Sequence, residues 1–294
     1  SCCWMYAIGK YGFPPNLGQM LQAIQEMADL GFEHIELEGV GFQNLQEVVD
    51  NRERLKQACQ RAGVQVANFA PLLPEIISMD EEVAARAMAL FEQGVKTAAY
   101  LGAPSVWSDS YVPPLELVGG KPLTQELTYG QEYRVRIPEQ FDWNRFWAHF
   151  VRVVRRCNQV AKDNGVQLLV EPRVGEVTSN SDALLRLIEA VDDENLGVIL
   201  DTAHQHAQKE MLPLSVEKLG KHIRYVHIAD NDGRVNRHLE PGAGTIDWDG
   251  VFLALKRQGY DGYYAIDLEK LPQLECKFLE SKRFLETYAT RLAL

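Results

Sequence analysis

The chain has 294 residues, 46% of them hydrophobic and 24% charged, with 30 Lys and Arg against 41 Asp and Glu for a formal charge of −11. This composition is that of a globular protein, and the acidic balance repels phosphate backbones and anionic bilayers, so neither nucleic acid nor membrane is expected as a partner. No apolar run approaches the ~18 residues that span a bilayer, no basic-then-apolar leader is visible, and five scattered cysteines read as reduced thiols in a cytoplasmic setting.

The elements alternate along the chain. WMYAIG (4–9) is a short apolar run, taken as the first strand, and 17–30 has helical spacing up to Gly31. HIELEGV (34–40) alternates as a strand, and 44–62 reads as one charged amphipathic helix. VQVANFAP (64–71) is a strand, and 81–101 a long helix with acids in its first turn, where the helix dipole favours them. Strands follow at 103–108, 166–171, 196–201, 223–230 and 263–269. Helices follow at 141–164, 181–192, around 214–221, 247–258 and 276–291. Eight strand–helix pairs in somewhat more than the usual ~250 residues predict a closed (β/α)8 TIM barrel, a single domain over 1–294. The excess length falls at 109–140, after the fourth strand, where Pro113, Pro114, Gly119, Gly120 and Pro138 mark a long loop over the barrel mouth. An open doubly wound sheet is the runner-up. It calls for a glycine-rich phosphate turn after the first strand, and Gly9-Lys10-Tyr11-Gly12 is a poor match.

Four consecutive strands end alike. QLLV runs into Glu171, VIL into Asp201, RYV into His227 and YYAI into Asp267. Strand C-termini converge on the catalytic face of a barrel, and neighbouring strands lie about 4.8 Å apart. Glu171, Asp201, His227 and Asp267 are therefore predicted to meet at one divalent ion. One acid at a strand end is usually a turn residue or a helix N-cap; four in succession favour a metal. Three carboxylates and one imidazole suit Mn2+, Mg2+, Co2+ or Zn2+ without choosing among them, and Mn2+ is the expectation carried forward.

The segments LLVEPR, GVILDTAH, YVHIAD, HLEPGAGTIDW and GYDGYYAIDLE resemble the sugar-phosphate isomerase/epimerase family of xylose isomerase-like barrels, over most of the chain and best from 166 to 270. The resemblance implies that Glu171, Asp201, His227 and Asp267 hold the metal and that His204 contacts a substrate oxygen. It also implies that Glu171 and Asp267 act as the acid–base pair on a small carbohydrate. Asp267 stands where Glu is common, and Gly242-Ala243-Gly244 stands where the family has Gly-Glu-Gly. The resemblance is compatible with a homo-oligomer paired at the mouth.

The chemistry expected of such a site is proton abstraction by Glu171 beside a metal-polarised carbonyl, giving an enediolate. Reprotonation makes the enzyme an isomerase or epimerase; loss of a β-substituent makes it a dehydratase or lyase acting on a keto-sugar, keto-glycoside or cyclic polyol. Arg173, Arg237 and His238 are candidates for binding substrate, with rim salt bridges and loop support as the competing roles. His206 reads as an ordinary helix-start residue. Glu36 and Glu38 share one strand face and read as polar barrel-interior residues. Trp4 and Trp107 are stacking or core residues. Tyr111, Tyr129, Glu132, Tyr133, Arg134 and Arg136 crowd the long loop as a lid or a solvated surface. An endonuclease IV-like nuclease ranks lower, since VANFAP and APSVWS lack the further His ligands it needs. A non-catalytic sugar-binding barrel also ranks lower, since all four ligand positions hold competent types.

Overall fold

The computed structural model describes residues 1–117 and 135–292. Alternation of apolar runs and amphipathic helices yields seven parallel strands. They are β1 (His34–Val40), β2 (Gln65–Leu72), β3 (Ser105–Asp109), β6 (Gln167–Glu171), β7 (Leu196–Asp201), β8 (Ile223–Ile228) and β9 (Tyr263–Ile266), hydrogen-bonded in that order. A two-residue antiparallel pair, β4 (Glu116–Leu117) and β5 (Val135–Arg136), stands apart in the long loop after β3. Tyr129, Glu132, Tyr133 and Arg134 lie outside the described residues.

The first predicted strand is corrected. Residues Met5–Tyr11 form helix α1, and the strand position is taken by the residues just before it. Cys2 bridges Ile35 of β1 on one side and Ile266 of β9 on the other. Cys2 N–H donates to His34 O at 2.9 Å, Glu36 N–H to Cys2 O at 2.9 Å, and Cys3 N–H to Ile266 O at 3.1 Å. Ser1–Cys3 thus close the barrel, and the eight-fold plan holds with one very short stave. The physical reason is that a six-residue apolar run carries no periodicity that separates strand from buried helix. Trp4, at the N-terminus of α1, is 1% exposed and belongs to the core.

Helices cover the outer face. They are α2 (Leu17–Asp29), α3 (Gly41–Asp50), α4 (Arg52–Ala62), α5 (Glu81–Leu101), α6 (Trp143–Asp163), α7 (Ser181–Val191), α8 (Thr202–Ala207), α9 (Leu212–Leu219), α10 (Trp248–Arg257) and α11 (Leu274–Leu292). The single helix expected at 44–62 is two, parted at Asn51, whose φ of −111° and ψ of 16° leave the helical region. The weak helix expected near 214–221 is α9, and a further short helix, α8, starts directly after β7.

The pleat sorts the strand residues into two layers. Outward-facing Val106, Leu168, Val170, Val198, Leu200, Val226, Ile228 and Ile266 pack in the large apolar cluster shared with the helices. Inward-facing Cys3, Ala67, Trp107, Leu169, Ile199, Tyr225 and Ala265 fill the barrel. Two residues further along each strand, the same inward face carries Asp109, Glu171, Asp201, His227 and Asp267. The apolar plug is thus a floor, and the polar residues form a layer above it at the C-terminal mouth, where barrel active sites are built.

Candidate active site

β7 and β8 pair in register at Asp201 and His227, and β3 and β6 at Asp109 and Glu171, so four polar side chains arrive at one level. His227 is the hub. Its Nδ1 lies 2.5 Å from Glu171 Oε1 and 3.7 Å from Asp201 Oδ2, and its Nε2 lies 3.1 Å from Glu36 Oε1. Donor atoms of Glu171, Asp201 and His227 all lie within 4.8 Å of one another, and all three residues are buried. Burial opposes a charged imidazole, but Glu36 and Glu171 on either side hold His227 protonated well above the usual histidine range. Trp107 and Tyr225 rings stand edge-on to the imidazole, both at 5.6 Å, and wedge it in place.

Asp201 plays two roles at once. Its Oδ1 accepts the His204 backbone N–H at 2.6 Å and caps α8, the ordinary use of an acid at a strand-to-helix turn. Its Oδ2 has no hydrogen-bond partner although the residue is fully buried. Burial, with Glu171 and Asp267 nearby, pushes the carboxyl up to about 7, and His238 works against that rise. The same cap turns His204 inward, so that donor atoms of Asp201, His204 and His238 also lie within 4.8 Å of one another. Burial and the charge on His238 push His204 far below its normal value, so its ring is neutral and its Nδ1 is unpartnered.

Asp267 sits elsewhere than its three expected co-ligands. Among the described residues no three-donor cluster includes it. Its Oδ2 is 2.8 Å from His238 Nδ1, while its Oδ1 is buried without a partner. Burial opposes both charges of this pair. Yet Asp267 and Asp201 raise His238 to about 9, and His238 holds Asp267 below the usual carboxylate range. His238 reaches this position because Asp230 staples its loop, accepting from Gly242 N, Ile246 N and Trp248 Nε1 and bridging to Leu239 through the backbone.

Arg173 pairs with Asp109 Oδ2 at 2.7 Å and is three-quarters covered, at the β3–β6 seam. Arg237 is engaged by Glu269 at the exposed rim, and Glu269 also accepts the His238 backbone N–H at 3.1 Å. Tyr111 is a buried strut, its hydroxyl accepting Leu73 N–H at 2.8 Å, and Arg136 pairs with Glu116 across the β4–β5 pair. His206 is near Thr245 Oγ1, at 3.1 Å.

Sequence reasoning underrated Glu36 and Glu38. Glu36 holds the far nitrogen of His227, and metal-binding imidazoles characteristically have a carboxylate in that position. The signal available was the period of two that places Glu36 on the inward face. Glu38, on the same face nearer the mouth, is pushed well above its usual range by burial and then by Glu36, Asp109 and Asp267. The fit to a divalent cation rests on unsatisfied atoms. Asp201 Oδ2, Asp267 Oδ1, Glu36 Oε2 and His204 Nδ1 are all buried lone-pair donors without partners. Carboxylates packed this closely repel one another, and a cation among them removes that cost.

A family model described as xylose isomerase-like TIM barrel matches residues 24–288. Fructoselysine 3-epimerase of Escherichia coli O157:H7 is 25% identical over 152 residues, 51% of this chain and 55% of that protein. Inosose dehydratase of Geobacillus thermodenitrificans is 24% identical over 149 residues, 45% of this chain and 50% of that protein. The chain therefore spans about half the length of the curated relatives it matches. A crystal structure of a D-tagatose 3-epimerase-like protein superposes with a TM-score of 0.73 at 22% identity, covering 99% of this chain and 97% of that one. The barrel, the polar layer at its mouth and a family match over most of the sequence agree: the chain belongs to the xylose isomerase-like TIM barrel family.

Proposed function

We propose that the chain is a divalent-metal-dependent isomerase or epimerase of a keto-sugar or sugar derivative. The observation that carries this reading is the buried Glu171–Asp201–His227 cluster, with donor atoms within 4.8 Å of one another at the barrel mouth. Its relatives include a sugar 3-epimerase. Glu171, Asp201 and His227 would hold the ion, with Mn2+ as first choice, while Asp267, expected as a fourth ligand, is engaged by His238. Bound there, a divalent ion supplies Lewis-acid polarisation of the substrate carbonyl.

The chain's own residues divide the remaining work. Glu171 takes the proton from the carbon beside the carbonyl; burial raises its carboxyl, which strengthens it as a base. Asp267 and His238 stand across the mouth on β9 and the loop after β8, and their shared proton is available for return to the opposite face of the sugar. His204, neutral with Nδ1 free, accepts from a substrate hydroxyl. Arg173, fixed by Asp109, offers its remaining N–H groups to substrate oxygens.

The test is incubation of the Mn2+-loaded protein in heavy water with ketohexoses, keto-glycosides and inosose, read by NMR and mass spectrometry. Deuterium on the carbon beside the carbonyl, without loss of mass to a leaving group and abolished by Glu171→Gln, is the expected result. No exchange with any substrate under Mn2+, Mg2+, Co2+ or Zn2+ overturns the reading. A second reading, a dehydratase or lyase, is favoured by the His238–Asp267 pair, because an imidazole charged up to about pH 9 can protonate a departing hydroxyl. Loss of water in the same assay assigns that reaction.

A further inference from the structure

We propose that Cys3, Glu36 and His227 form a second metal seat beside the first, selective for thiophilic divalent ions such as Zn2+, Co2+ and Cd2+. The Cys3 sulfur, a Glu36 carboxylate oxygen and an imidazole nitrogen of His227 all lie within 4.8 Å of one another. The three residues are at most 1% exposed. Glu36 Oε2 has no partner, so a buried acceptor stands ready beside the thiol. Cys3 comes from the short closing segment, which hydrogen-bonds to β1 and β9 and so brings sulfur next to Glu36.

Donor type separates the two seats. The first offers two carboxylates and one imidazole, a hard set suited to Mn2+ or Mg2+. The second offers sulfur, nitrogen and oxygen, the set that Zn2+ takes. On binding, the Cys3 S–H bond and the Nε2–H bond of protonated His227 both break, the two protons pass to solvent, and sulfur–metal and nitrogen–metal bonds form, leaving a neutral imidazole.

His227 is common to both, and this makes the seats compete. Its Nε2 faces Glu36 and its Nδ1 faces Glu171 and Asp201. A neutral imidazole has one lone pair for a metal and carries its proton on the other nitrogen. An ion held through Nε2 leaves that proton on Nδ1, where it is donated to Glu171 and withdrawn from the first seat. A thiophilic ion therefore evicts the hard ion; that this inhibits turnover rests on the proposed function, whereas the seat itself does not.

The experiment uses full-length protein carrying Cys276→Ser, which removes the one exposed thiol. The protein is stripped with chelator and titrated with Co2+ and, separately, with Cd2+. A thiolate-to-metal charge-transfer band is expected, absent from Cys3→Ser and Cys3→Ala and at least tenfold weaker in Glu36→Gln at equal metal. Circular dichroism verifies that at least one Cys3 variant is folded. Preloaded Mn2+, followed by elemental analysis, is expected to leave on Cd2+ addition in the Cys3 protein and to stay in Cys3→Ser. Absence of the band at saturating Co2+ and Cd2+, or its survival in the folded Cys3 variant, overturns the seat. Retention of Mn2+ alongside the band overturns the competition. Failure of the proposed function reads differently: no Mn2+ is bound at the outset, while the thiolate band persists, as it also should in Asp201→Asn.

Discussion

Glu36→Gln separates a carboxylate that orients His227 from one that merely fills the barrel. Glu36 Oε1 lies 3.1 Å from His227 Nε2, and both side chains are at most 2% exposed. The substitution keeps the volume and an acceptor oxygen but removes the charge. A charge-assisted hydrogen bond contributes about 1.5–3 kcal/mol against about 1 kcal/mol for a neutral one. The difference, about 0.5–2 kcal/mol, is lost from the state in which Nδ1 faces Glu171 and Asp201. That corresponds to a weakening of Mn2+ affinity by roughly 2- to 30-fold, overlapping the roughly 10- to 100-fold typical of carboxylates that support a ligating imidazole. Stability of the metal-free protein carries two opposed effects. Glu36 Oε2 is a buried, unpartnered oxygen, and the Glu36 charge is among the causes that raise Glu38. Removing that charge relieves this repulsion but also takes a carboxylate from the buried His227 cation, and breaking a buried pair is the larger effect, so the metal-free variant should melt a few degrees below wild type. The assay pairs calorimetric Mn2+ titration with thermal melts of the stripped protein. An affinity unchanged from wild type refutes the orienting role.

The other predictions concern charge, ligation and packing. Asp201, raised to about 7, and His238, raised to about 9, both bind protons more tightly folded than unfolded. Their contribution to stability is full below the unfolded values, ~4 for Asp and ~6.5 for His, and is lost as pH rises through 7 and 9. Urea unfolding of the metal-free protein should therefore show stability falling by about 2–4 kcal/mol between pH 6 and pH 9.5, and saturating Mn2+ should flatten the slope; a rise with pH refutes the assignment. Asp201→Asn retains a competent cap for α8 but loses the anionic ligand, so elemental analysis should find less than a tenth of wild-type Mn2+ in a protein that melts within a few degrees of wild type. Asp267→Asn removes the charge that holds His238 protonated; exchange at the abstracted proton should survive while epimer formation or water loss drops by about 10²-fold, the lower end of general acid–base effects. Equal loss of both places Asp267 at the abstraction step. A Cβ on Gly244 would meet the Asn231 carbonyl oxygen at 2.2 Å and Asp230 Oδ1 at 2.3 Å, so Gly244→Ala should cost about 1–3 kcal/mol in denaturant melts and loosen the loop carrying His238.

The polar layer was legible because it follows from periodicity alone. Glu171, Asp201 and His227 each cap an apolar run, and register then needs only short, parallel connections to bring them level. Asp267 was legible as a strand-end residue but not as the partner of His238. That contact depends on the fold of the 230–242 loop, which is set by buried hydrogen bonds to Asp230 rather than by any local pattern. The short closing strand was not legible. Three residues carry no period, and their strand character comes from hydrogen bonds to two partners distant in sequence. Glu36 was visible but undervalued, since alternation tells which face a residue takes and not which ring nitrogen it meets.

The mouth carries more negative charge than its folding needs. Glu36, Glu38, Asp109, Glu171, Asp201 and Asp267 share one buried layer, and the charged groups facing them there are Arg173, His227 and His238. Protonation of some carboxyls lets the metal-free chain fold, and a divalent ion answers the same surplus with the carboxylates ionised. Stability of the metal-free chain is therefore lowest with the carboxylates ionised, the state in which, on the proposed function, Glu171 would take a proton. The asymmetry within the layer also limits the chemistry. On the β6 side a raised carboxyl, Glu171, is set to take a proton; on the β9 side a depressed carboxylate, Asp267, holds a protonated His238 that is set to give one. On the proposed function, two groups poised in opposite senses on separate strands of one barrel mouth would suit removal of a proton from one face of a sugar and delivery to the other. On the proposed function, whether the delivered proton meets carbon or a departing oxygen would be decided by where the substrate lies against His238, and that residue would be the point at which epimerisation and dehydration diverge.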